Sequence, residues 1–271
     1  MIGARRAISG AIYALSAAVG VLAFVYPIFT ATSGTSRGQD APLVTAALVG
    51  LSVIALLVEL QGRSISAKTV ALLGVLVAIS SVLRFIETAI PMPGGFSPIF
   101  APIILAGYVF GGRFGFQMGA FTLLVSALIT GAVGPWLPYQ MFAAGWAGMT
   151  AGWLGRILSL RKLGAEGQPP WWNMALLTLF GFVWGLLYGV VINLYFWPFA
   201  SGSAGQTWAP GLSLWETLQR YAVFYAVTSL AWDMARALGN VALILLLGPA
   251  TIAALSRFRR RFYFEVQPAD A

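Results

Sequence analysis

Four charged residues sit where the rest of this sequence is oily. Arg84 and Glu87 are three positions apart, and Asp233 and Arg236 repeat the spacing. At i, i+3 both members of a pair lie on one helix face and can meet. An unpaired charge at the centre of a bilayer costs roughly 2.5–3.5 kcal/mol on insertion scales, so each pair demands an explanation. Two remain open: the pairs pin helices, or Asp233 or Arg84 offers a hydrogen bond to a polar ligand. Tyr139, Gln140, Asn193, Arg220 and Asn240 are further polar candidates. Acid–base catalysis is disfavoured, because Glu87 and Asp233 each have an arginine of their own. The chain has no histidine and no cysteine, which excludes a His general base, a thiolate nucleophile and His- or Cys-based metal sites. No catalytic residue, metal site or cofactor is therefore expected. There is also no GxxxxGK[ST] phosphate loop, so the chain does not hydrolyse ATP by that route.

These residues must be held by membrane helices. Of 271 residues, 59% are hydrophobic and 9% charged, against roughly 25% charged in soluble domains. With about 20 apolar residues per crossing, eight segments read as spans: 7–31, 42–60, 69–88, 98–112, 114–133, 136–157, 172–199 and 220–254. The fourth is short and carries Pro98 and Pro102, so it must be thinly embedded or be shielded by its neighbours instead of lipid. The last exceeds a bilayer and must tilt, protrude or break near Gly248-Pro249. With a cytoplasmic N-terminus, Arg5, Arg6, Arg63, Lys68, Arg113, Arg156, Arg161, Lys162, Arg257, Arg259, Arg260 and Arg261 all face the cell interior, and Arg37 alone faces out. That bias fixes a multi-pass protein of the cell membrane with both termini cytoplasmic. The formal charge of +8 is thus an orientation signal, and "RFRRR" at 257–261 is a membrane anchor instead of a nucleic-acid patch.

Three outer loops carry no charge: 89–97 "AIPMPGGFS", 133–138 "VGPWLP" and 200–214 "ASGSAGQTWAPGLSL". Their Gly, Pro and aromatic content suits an interfacial aromatic belt or the lid of a pocket, with Trp136, Tyr139 or Trp208 stacked on a ring. Behind the elbow at Gly134–Gln140, the sixth span places Ala144, Gly148, Ala151 and Gly155 on one stripe. The third span does the same with Ala67, Ala71, Gly74, Ala78 and Ser81. Such stripes let helix backbones approach closely, usually inside one bundle.

From about Ala67 onward the chain resembles the substrate-specific S component of energy-coupling factor (ECF) vitamin transporters. The resemblance rests on "ALLGVLVA", the loop "PMPGGFSPIF", the run "LAGYVFGGRFGFQMGAFTLLVSALITGAVGPWLPYQMFAAGWAGMTAG", and "WDMARALGN" before an arginine cluster. It implies an all-α integral membrane fold with eight transmembrane helices: a six-helix S-component-like core at 63–271 and an added N-terminal two-helix hairpin at 1–62. It implies a non-enzymatic subunit that captures a vitamin-like small molecule outside and delivers it with a membrane T subunit and two cytoplasmic ATPases. The docking surface would fall on Ala71, Gly74 and Ala78, and the ligand site under loops 89–97 and 200–214. Substrate-binding candidates are Arg84, Glu87, Trp136, Tyr139, Gln140, Asn193, Trp208, Asp233 and Arg236. A self-sufficient secondary transporter is the alternative, disfavoured by the lack of an inverted repeat. A membrane enzyme lacks convergent acid–base groups.

Overall fold

A computed structural model describes residues 10–11, 13–15, 17–22, 24, 67–90, 95–134, 136–159 and 169–262. The expected span 42–60, most of 7–31, the boundary at 62/63, loop residues 91–94, and Arg5, Arg6, Arg37, Arg63, Arg161 and Lys162 lie outside them, as does the Arg261 side chain.

The described residues form helices and no strands. In chain order these are α1 (Ala67–Ala89), α2 (Phe100–Phe110), α3 (Gly112–Thr130), α4 (Leu137–Ser159), α5 (Trp171–Phe196) with a 3-10 turn at Trp197–Phe199, α6 (Leu214–Thr228) and α7 (Leu230–Phe262). Helices α1, α3, α5 and α7 are long and apolar enough to cross a membrane. Their outward residues, among them Val75, Val82, Leu128, Leu179 and Leu246, are exposed, as lipid-facing positions must be.

The short α2 is the hub. At about 1.5 Å per residue its 11 residues reach only ~16 Å. All but Pro102 and Phe110 are buried in it, and Pro98 and Pro102 are half-buried, so protein packs around most of this short helix. It reverses into α3 at Gly111, whose φ of +100° lies in a region that side chains with a Cβ rarely adopt.

Around α2 the backbones touch. A Cβ on Gly148 would strike the Gly115 carbonyl, and one on Gly155 the Tyr108 carbonyl; Gly152 meets Gly112, and Gly119 meets Ala144. The sixth-span stripe is thus an internal zipper between α4 and both α2 and α3, which is how close van der Waals contact replaces the hydrophobic effect in lipid. A second zipper joins α5 to α7: Gly181 faces Asn240 and Ile244, Gly185 faces Ala237, and Gly189 faces the Asp233 carboxylate.

The expectation of one long last span at 220–254 is corrected. The chain makes two helices, and the break falls at Ser229 (φ −131°, ψ −28°), while α7 continues through Pro249. Helix α6 opens with a Ser213–Glu216 capping box and lies along α5, where the Tyr221 hydroxyl donates to the Val190 carbonyl and the Tyr225 hydroxyl to that of Leu186 at 3.3 Å.

One end of the bundle is basic. There Arg259 donates to the Val109 carbonyl at 2.8 Å, close to where α3 begins, and Lys68 and Arg113 lie at the N-terminal ends of α1 and α3, Arg156 and Arg257 near the C-terminal ends of α4 and α7. The candidate site lies at the opposite end.

Candidate functional site

Depth along the helices explains why the two charge pairs meet. Arg84 lies 16 residues beyond Lys68 on α1, and Arg236 lies 21 residues before Arg257 on the antiparallel α7. At about 1.5 Å per residue, both sit ~24–32 Å from the basic end, one hydrocarbon thickness away.

At that level the pairs form one cluster around Tyr188 of α5. Arg84, Glu87, Asp233 and Arg236 are all within electrostatic reach of its ring, and Glu87 interacts with Arg236 as well as Arg84. The Arg236 guanidinium stands 5.1 Å from the Tyr188 ring centroid and 5.8 Å from that of Phe100. Those two rings meet edge to face at 4.6 Å, so a cation rests on two aromatic faces.

The pairs are unequal. Asp233 and Arg236 are in direct contact, with side chains only 4% and 15% exposed, and Arg236 reaches the Gly185 carbonyl at 3.4 Å. Even so, among the described residues the buried Asp233 Oδ2 and Arg236 Nε have no hydrogen-bond partner. Arg84 and Glu87 are separated by 3.9 Å, with side chains 25% and 20% exposed. Glu87 instead accepts a 2.8 Å bond from Ser97, which ties α1 to the loop leading into α2. The Arg84 guanidinium makes no hydrogen bond among the described residues. A guanidinium carries five donors, so the outer end of α1 presents unused hydrogen-bonding capacity.

Two of the three expected lid loops border this region. From the first loop, Phe96 packs on Gly239 of α7, and Gly95 sits against the Trp232 ring. The second, 200–213, is pinned by Trp197, whose indole donates to the Gln206 carbonyl at 2.8 Å, and by Arg220, which reaches the Thr207 carbonyl at 3.4 Å. Asn193 bonds the Gly189 carbonyl at 2.9 Å and the Ser229 hydroxyl at 2.8 Å, so it braces the α6–α7 break.

The other expected site residues come from α4 and from the loops before α4 and α6. Tyr139 is buried, stacked on Tyr195 at 3.8 Å and edge-on to Phe24 at 5.0 Å, while Gln140 beside it is half-buried. Trp136 is exposed, covers Gly134, and donates to the Ala132 carbonyl at 3.3 Å. Trp208 is half-buried. Sequence reasoning missed Phe100, Tyr188 and Ser97. No polarity pattern marks the two rings, but the Gly181, Gly185, Gly189 stripe could have signalled that α5 packs tightly against the last helix.

Ala71, Gly74 and Ala78 are exposed on α1, and a Cβ on Gly74 would meet nothing within 4 Å. Among the described residues no group of His, Cys, Asp or Glu is placed to hold a metal ion.

The family model for the ECF transporter substrate-specific component matches residues 68–254. The chain belongs to this family. The match begins at α1 and runs almost to the end of α7, so it encloses every residue of the charge cluster. This S component is a substrate-binding subunit of a membrane transporter, from a family that is not one of enzymes, and membership implies partnership with ECF T and ATPase modules. No curated protein and no solved structure matches the chain.

Proposed function

We propose that this S component binds a vitamin or related micronutrient at the outer end of the bundle, over Arg84, Glu87, Asp233 and Arg236. The observation that carries the reading is the unused capacity of the two arginines: among the described residues Arg84 makes no hydrogen bond and Arg236 has a buried, unpartnered Nε. Burying donors without partners costs of the order of 1–3 kcal/mol each, a cost that a ligand rich in carbonyl or anionic oxygen would remove. Tyr188 and Phe100 supply ring faces beside them. Trp136, Tyr139, Gln140, Asn193 and Trp208 line or brace the entrance, under the loops at 89–97 and 200–214.

Delivery would follow docking of the exposed Ala71–Gly74–Ala78 face on a membrane T subunit driven by two cytoplasmic ATPases, in the cell membrane, with both termini cytoplasmic. On this reading 63–271 is the binding core and 1–62 an added hairpin, in an eight-helix protein. Affinity purification from native membranes, with mass spectrometry of bound small molecules and proteins, tests it. One vitamin-like ligand and an ATPase-containing partner set are expected. Recovery of the protein without any ATPase, together with substrate uptake by liposomes holding this chain alone, would overturn it in favour of a self-sufficient transporter.

A further inference from the structure

The Asp233–Arg236 pair is closed off: both side chains are largely buried, and the Arg236 Nε is wholly so. A ligand reaches the pair only when a neighbouring element gives way. The α5–α7 seam is fixed, since Gly185 lies against the Ala237 backbone and Gly189 against the Asp233 carboxylate. Helix α2 is the buried hub. Residues 95–97 are tied on two sides, with Phe96 on Gly239 and the buried Ser97 bonded to Glu87 at 2.8 Å. Helix α6 remains. It faces the pair with two tyrosines: Tyr225 is within electrostatic reach of Asp233 and Arg236, and Tyr221 of Asp233.

The hold of α6 on the bundle is light. Of its 15 residues only Phe224 is buried, stacked on Phe196 of α5 with ring centroids 6.4 Å apart, while Trp215, Leu218, Val223 and Val227 are exposed among the described residues. The Tyr221 and Tyr225 hydroxyls donate to the Val190 and Leu186 carbonyls. Inside α5 each of those carbonyls also accepts the N–H four residues on, so letting the tyrosines go strands no carbonyl. Few buried apolar contacts and easily released hydrogen bonds mark an element that opens locally. Both of its ends can pivot. At Ser229 the backbone leaves helical geometry, and Asn193 steadies that hydroxyl at 2.8 Å; at Ala200 the chain turns extended after the 3-10 turn. Such element-terminal residues absorb hinge motion. Between them Arg220 reaches the Thr207 carbonyl at 3.4 Å, which ties the loop to the helix, and the Trp197 indole on the Gln206 carbonyl is the catch that opening must break. We propose that α6 and residues 200–213 are a gate, hinged at Ala200 and Ser229, that swings off α5 to admit the ligand to Arg236; this rests on the ligand reading of the charge cluster.

The probe is phenylglyoxal, which modifies guanidiniums, with its rate at Arg236 read by peptide mass spectrometry on the full chain in nanodiscs. That rate should rise about 5-fold in Tyr221→Phe or Tyr225→Phe and about 25-fold in the double variant, as for roughly one net hydrogen bond each. The chain has no cysteine of its own, so Phe196→Cys with Phe224→Cys can be bridged by a short bifunctional thiol reagent. Bridging should suppress the reaction at Arg236 relative to the same variant capped with a monofunctional reagent. The rate at Arg257, near the far end of α7, should be the same throughout. An unchanged Arg236 rate in the bridged protein overturns the gate. So does acceleration in Ser97→Ala with none in the tyrosine variants, which would place the opening at residues 95–97. A parallel rise at Arg257 in the tyrosine variants overturns it too, as general loosening of the fold. No ligand takes part, so failure of the ligand reading, seen as wild-type affinity in Arg236→Gln, is distinguishable from failure of the gate.

Discussion

Gly148→Ala is the sharpest probe of how this bundle is held together. The added Cβ would sit 2.5 Å from the Gly115 carbonyl carbon and 2.9 Å from its Cα, against an ordinary contact of 3.4–4 Å. The obstacle is backbone, which cannot rotate aside, so α3 and α4 must separate by roughly 1 Å, a gap that forfeits up to about half of each dispersion contact along the seam. Overpacking of this kind costs ~1–3 kcal/mol, and an immovable obstacle argues for the upper end. The better helix propensity of alanine returns about 1 kcal/mol, leaving ~2 kcal/mol, or a fall in Tm of about 4–8 °C at ~2–4 °C per kcal/mol. Gly74→Ala is the internal control, because its Cβ would meet nothing; there only the propensity gain of at most ~1 kcal/mol acts, and Tm should hold or rise by about 2–4 °C. Differential scanning fluorimetry in one detergent reads both. Equal melting temperatures for the two variants would refute the claim that backbone contact, and not generic glycine content, holds α4 in place.

Other expectations follow from the same geometry. Gly189→Ala places a methyl on the Asp233 carboxylate, so ligand affinity should weaken at least about 10-fold, ~1.4 kcal/mol, by equilibrium binding to purified protein. Gly74→Leu should leave stability and ligand affinity unchanged but abolish co-purification of the ECF T subunit, since the residue points into open space on α1. At the start of α6, hydrogen bonds from the Ser213 hydroxyl and then its backbone N–H hold the Glu216 carboxyl below its usual range. A depressed carboxyl stabilises the fold above its unfolded value of 4.5, and that contribution is lost as pH falls through the lower folded value. Hydrogen-exchange protection of the first α6 amides should therefore drop in acid below that window, and drop at neutral pH in Ser213→Ala.

Much of the helix layout was legible because hydropathy and punctuation agreed. Expected segments at 69–88, 114–133 and 136–157 differ by a few residues from α1, α3 and α4, and of the two readings open for the short proline-bearing segment, thin embedding or shielding by neighbours, the burial of most of α2 favours the second. The last span was misread for a physical reason: the break at Ser229 has neither proline nor glycine to announce it. Pro249, the visible breaker, lies inside a continuous helix. The Ser-x-x-Glu capping box at 213–216 and the Tyr221/Tyr225 spacing did encode a separate α6 lying on α5. At the site, i, i+3 spacing revealed each ion pair but not that the two would meet, because their proximity depends on α1 and α7 running antiparallel past Tyr188. The tyrosines and tryptophans of the loops drew attention by composition, whereas the rings that touch the charges, Phe100 and Tyr188, are ordinary core residues by sequence.

The central claim is that the Arg84–Arg236 cluster holds the transported ligand. Its most direct test is the equilibrium dissociation constant of the co-purified ligand for the wild type, Arg84→Gln and Arg236→Gln, each confirmed as folded by its melting curve. Affinity at least about 10-fold weaker in both variants is the predicted result. Wild-type affinity in both would contradict the claim and leave the pairs as helix pins alone.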